Sequence, residues 1–109
     1  MIQAQPKADW SPVPRPGTSG VAFRILLRGD GILLASLRLG RSATIDRHSA
    51  PHEIDVVCIA GGGFTSIGDE KYAIHEGQTV RWPANVDHCL WTTDSSMETL
   101  MVERYGAQR

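Results

Sequence analysis

Residues 76–88 read EGQTVRWPANVDH, a stretch that divides into turn, strand, turn and the start of a second strand. Glu76-Gly77 is a turn signal, and TVRW (79–82) carries the β-branched and aromatic residues that suit a pleated surface. Pro83-Ala84-Asn85 ends that run: proline removes a ladder donor, and asparagine tolerates the left-handed region of a turn. VDHCLWT (86–92) follows. Side chains of one parity share a face of a strand, so His88, Leu90 and Thr92 form one set and Cys89 and Trp91 the other.

Outward from this stretch the pattern repeats. VAFRILLR (21–28), ILLASLRL (32–39), ATIDR (43–47), IDVVCIA (54–60), GGGFTSI (61–67), KYAI (71–74) and METLMVER (97–104) all read as strands. Turn signals separate them about every 8–12 residues, the spacing of an antiparallel sandwich or barrel. Gly68-Asp69-Glu70 marks a hairpin. METLMVER could compete as a helix, but Val102 and its place after the turn TDSS favour a strand. Gly61-Gly62-Gly63 is not a phosphate loop, since no GK[ST] follows and a strand comes next. Glycines so placed mark a bend or bulge. Residues 1–20 hold Pro6, Pro12, Pro14 and Pro16 and cannot form a regular helix. They read as an extended arm anchored by Trp10, ahead of one domain over residues 21–109.

At 109 residues the chain is one domain, with 41% hydrophobic and 21% charged residues, the balance of a water-soluble fold. No apolar run reaches bilayer-spanning length, and the N-terminus lacks a secretory pattern, so a cytoplasmic protein without membrane partners is expected. Cys58 and Cys89 make no CxxC pair and read as buried free thiols. The net charge is −1, with +4 in residues 1–50 and −5 in 51–109. Nothing there suits a nucleic-acid partner, which calls for a basic face.

The stretch 77–92 resembles the second motif of the cupin family, G-x5-P-x-G-x2-H-x3-N, position by position. Gly77, Pro83 and His88 match, Asn85 stands where glycine is usual, and Thr92 replaces the final asparagine. The first motif, G-x5-H-x-H-x3-4-E-x6-G, falls on the segment ending at Gly61. There His48 takes the first histidine, Ala50 the second and Ile54 the glutamate. The resemblance covers residues 32–104 and implies an all-β fold, a single-domain β-barrel of the jelly-roll (double-stranded β-helix) type. It also implies a metal site at the barrel's open end for Fe, Mn, Zn, Ni or Cu, and a homodimer with the N-terminal arm crossing to the partner.

In that register residues 48–58 send His48, Ala50, His52, Ile54, Val56 and Cys58 inward, and Glu53 and Asp55 outward. The candidate metal ligands are His48, His52 and His88, with a bend at Ala50-Pro51 needed to bring the first two together. A slip of one residue would present Asp55 in place of Ile54. Losing an imidazole at Ala50 and the carboxylate at Ile54 makes the site drier and poorer in donors. Two functions follow. One is a pocket for a small molecule, lined by Phe23, Leu34, Val56, Cys58, Trp82, His88 and Leu90, with His48 and His52 at its mouth. The other is a metal-dependent oxygenase or isomerase using His48, His52 and His88. His75 reads as a solvated strand end, Met97 and Met101 as packing, and Trp91 as an outward face awaiting cover.

Overall fold

The computed structural model describes residues 1–4 and 6–105, so the last four residues of the span 21–109 lie outside it. Among the described residues there are eight strands and no helix. They are β1 (Ser11–Pro12), β2 (Ser19–Gly29), β3 (Ile32–His48), β4 (Ile54–Ile67), β5 (Glu70–His75), β6 (Thr79–Trp82), β7 (His88–Trp91) and β8 (Met97–Arg104). Among the described residues no helix is long and apolar enough to cross a membrane.

Two long strands close the barrel. The first part of β3 pairs with β2 and β8, and its last part pairs with β7. The first part of β4 pairs with β6 and β8, and its second part with β5 and β7. Each long strand therefore passes from one layer to the other, and no pairing is parallel. The sequence suggests separate strands at 32–39 and 43–47, and again at 54–60 and 61–67. The structure corrects both pairs to single strands that bend. β3 turns through Ser42 at φ 53° and β4 through Gly61 at φ 73°, beside a register shift between Cys58 and Ala60. Bulges of this kind let a strand turn a corner without ending.

Alternation decides what fills the barrel. In β4, Ile54, Val56 and Cys58 are buried while Glu53 before them is exposed. In β3, Ala35, Leu37 and Leu39 are buried, and in β8 Met97, Thr99 and Met101 are. Trp82, Ile74 and Leu90 complete the core with at most 2% of their surface exposed. Each such apolar side chain contributes roughly 1.5–3 kcal/mol by leaving water.

The outer face is tied by charge. Asp55 accepts bonds from Arg81 Nε at 2.8 Å and Arg104 Nη1 at 2.9 Å, joining β6 and β8 across β4. Those guanidinium groups hold the Asp55 carboxyl below the usual carboxylate range. Trp10 packs against Arg24 and Arg38, whose guanidinium carbons are 4.5 and 4.1 Å from its ring centroids. In this chain the arm thus folds back on its own sheet, and Ser11–Pro12 pairs with Phe23 and Ala22.

Candidate functional site

His88 opens β7, and its Cα faces that of His48 at the end of β3. The turn before it is held by Asn85, at φ 64° with its N–H donating to the Ala50 carbonyl at 2.7 Å. His88 is fully buried and stacks on Trp82, with ring centroids 3.8 Å and planes 12° apart. The Trp82 indole N–H donates to Thr65 Oγ1 at 2.9 Å, and the Thr65 hydroxyl donates to the Cys89 carbonyl at 2.7 Å. This chain of bonds satisfies the polar atoms beneath the ring and fixes its orientation. Thr92, in place of the motif's asparagine, donates to the Gly40 carbonyl and accepts from the Ala43 N–H, holding the bend of β3.

The two histidines meet at their Nε2 atoms, 3.2 Å apart. His48 Nδ1 lies 2.8 Å from the Asp46 carbonyl, which can only accept, so the proton sits on Nδ1 and leaves a lone pair on Nε2. His88 Nε2–H then donates to it, while His88 Nδ1 is buried with no well-aligned partner, the Val86 backbone lying nearby. Burial, the neighbouring His48 and the positive charge of Arg15 pull the His88 pKa down to about 4. His88 is thus a neutral imidazole at physiological pH.

His52 does not join them. Its Nε2 lies 2.7 Å from Glu103 Oε1, with the two side chains 10% and 21% exposed. The Tyr105 ring packs on the imidazole at 4.4 Å between centroids, and its hydroxyl donates to Glu103 at 3.4 Å. The chain bends at Pro51 and His52 after β3, and the His52 side chain meets Glu103 of β8 rather than His48. Between the two histidine groups opens a cavity of about 420 Å³. Its walls are largely apolar, from Phe23, Ile25, Leu37, Ile45 and Trp82, and Val13, Pro14 and Arg15 of the arm lie at its edge.

Of the residues the sequence offers as pocket wall, Phe23 and Trp82 line this cavity. Leu34 does not: β3 points Leu33, Ala35 and Leu37 inward, which turns Leu34 out. Val56, Cys58 and Leu90 face inward but lie in the packed core, at most 1% exposed, and His88 sits behind Trp82 and His48. Burial pushes the Cys58 thiol pKa up, so it is no nucleophile. Asp55, the ligand of the slipped register, points outward to its two arginines. Glu103 and Arg15 were missed. Glu103 shares the parity of Met97, Thr99 and Met101, but no local pattern links it to His52, 51 residues away.

No protein-family model matches the chain, and no curated protein does. Solved structures do. A cupin-2 domain from Rhodospirillum rubrum superposes with a TM-score of 0.81 at 18% identity, covering 99% of this chain and 77% of that one. A predicted oxalate decarboxylase from Thermotoga maritima gives 0.82 at 18% identity, over 96% and 99% of the two chains. This is a cupin fold. The polyketide cyclase RemF from Streptomyces resistomycificus shares it, with a TM-score of 0.86 at 16% identity over 95% of this chain and 80% of that one.

The metal expected of a cupin finds a poor donor set here. Among the described residues no three His, Cys, Asp or Glu side chains come together to hold an ion. His48 and His88 offer two nitrogens, Ala50 and Ile54 add none, and His52 stands apart from that pair, beside Glu103 on β8. Transition-metal centres normally draw on at least about three protein ligands. The residues do not fit a metal centre.

Proposed function

We propose that this cupin binds a small, mainly apolar molecule inside the barrel, without a resident metal. The cavity carries the reading. At about 420 Å³ it matches the general form of a small-molecule site, an apolar hollow with a few convergent polar groups. Those groups are His48, the His52–Glu103 pair and Arg15. The similar structures do not favour one ligand, because they include a cyclase and a predicted decarboxylase on the same barrel.

The test is titration with 1-anilinonaphthalene-8-sulfonate, an apolar probe of suitable size bearing one negative charge. One equivalent should bind with enhanced fluorescence. Ala50→Trp, which places an indole in the cavity wall, should abolish binding while leaving the melting temperature within a few degrees. Unchanged binding in that variant would show that the barrel interior is not the site. Elemental analysis of untagged protein should find less than about a tenth of an equivalent of any transition metal. Stoichiometric metal that disappears in His88→Ala would overturn the metal-free reading.

A further inference from the structure

The His52–Glu103 pair differs from the other ion pairs of the chain. Among the described residues Arg81–Asp55, Arg81–Glu53, Arg104–Asp55, Arg38–Glu98 and Arg47–Asp69 each include a side chain at least 48% exposed. His52 and Glu103 are mostly buried and both line the cavity. A carboxylate only accepts hydrogen bonds, so Glu103 places the imidazole proton on Nε2 and leaves the lone pair on Nδ1. Nδ1 has no hydrogen-bond partner among the described residues. An imidazole oriented by a carboxylate, with its second nitrogen free, has the arrangement of a general base. No hydroxyl or thiol is bonded to His52 among the described residues, so it has no protein nucleophile to activate. The proton it takes must come from the ligand.

We propose that His52, positioned by Glu103, removes a proton from a carbon beside a carbonyl in a small anionic, aromatic or apolar molecule. This rests on the cavity being the ligand site. Phe23 and Trp82 supply the aromatic wall, and Arg15 supplies positive charge at the edge for a carboxylate. In the step, Nδ1 takes the proton, the C–H electron pair becomes the C=C bond of an enolate, and the carbonyl π pair moves to oxygen. Nε2–H stays bonded to Glu103, which balances the imidazolium. Return of a proton from Nδ1 to the same carbon, to its other face or to a conjugated carbon gives exchange, epimerisation or isomerisation. No oxidant or second reactant is required.

Phenylpyruvate is a suitable probe, since it carries a ring, a carboxylate and an acidic CH₂ beside a carbonyl. Its CH₂ protons should exchange with D₂O faster in the presence of protein than in buffer, saturably, as read by proton NMR. His52→Gln should lower that rate by about 10²-fold, within the usual range for a general base, and Glu103→Gln by about tenfold. Affinity for phenylpyruvate is measured in both variants, and the loss should appear in the exchange rate at saturating phenylpyruvate, which separates proton transfer from binding. Binding with exchange at the buffer rate would overturn the proton-transfer role. Exchange that persists in both variants while their melting temperatures fall would make the pair a structural fastener. If the naphthalene sulfonate binds and phenylpyruvate does not, the ligand class is wrong. If neither binds, the pocket reading itself fails.

Discussion

His88 shows how one buried residue makes the whole fold depend on pH. Stacked on Trp82 and donating to His48, it is neutral in the folded barrel, with a pKa of about 4. In the unfolded chain an imidazole titrates near its ordinary 6.5. Above that value both states are neutral and His88 adds no pH dependence. As pH falls below it, the unfolded state takes up a proton that the folded state refuses. Stability therefore drops progressively and levels off below about 4, by on the order of 3 kcal/mol in all. Urea unfolding of the native protein at pH 7, 5.5 and 4.5 should show the midpoint falling. His88→Gln should flatten that dependence, and an unchanged slope would show that another group carries it.

At the scale of the strand, local geometry accounts for two of the three glycines of β4. Gly61 adopts φ 73°, and a Cβ there would run into the Ser96 carbonyl oxygen. Gly63 has no such dihedral demand, yet a Cβ would lie 2.5 Å from the Trp91 carbonyl oxygen and 3.0 Å from Met97 Cε. β4 and β7 approach so closely here that backbone would have to move. Gly63→Ala should cost about 1–3 kcal/mol as an overpacking change. Gly40→Ala, whose Cβ would lie 3.8 Å from the Gly20 carbonyl oxygen, should cost less than about 1 kcal/mol through ordinary contact alone. Chemical denaturation of the two variants checks the contrast, and equal costs would remove the close-approach argument. The sequence marked this triplet as a bend but read a strand break, because glycine reports flexibility and not whether the ladder continues across it.

For the molecule as a whole, the N-terminal arm is the open element. In one chain it lies on β2, held by Trp10 against Arg24 and Arg38 and by the short pairing of Ser11–Pro12. A second copy presents the same β2 surface, so the same contacts could be made by exchange, at little energetic difference. The homodimer expected from the sequence predicts that the full chain sizes as a dimer. A chain lacking residues 1–18, which spares β2, should then size as a monomer. A monomer in both cases rules out exchange, and the arm would then serve its own barrel. Removal of Val13, Pro14 and Arg15 should weaken naphthalene sulfonate binding in either case, because they form one edge of the cavity.

Period-two alternation and turn chemistry were enough to read the strands and the inward faces of β4, β7 and β8, because these are local consequences of the pleat. The motif around Gly77, Pro83 and His88 was enough to indicate the barrel. Residues far apart in sequence became neighbours only through closure of the two long strands. That closure set His48 against His88, gave His52 to Glu103 instead, and turned Leu34 outward. Alternation says which face a side chain takes; which side chains share that face across the barrel depends on register, bends and crossings, and these are decided by the packing of the whole chain.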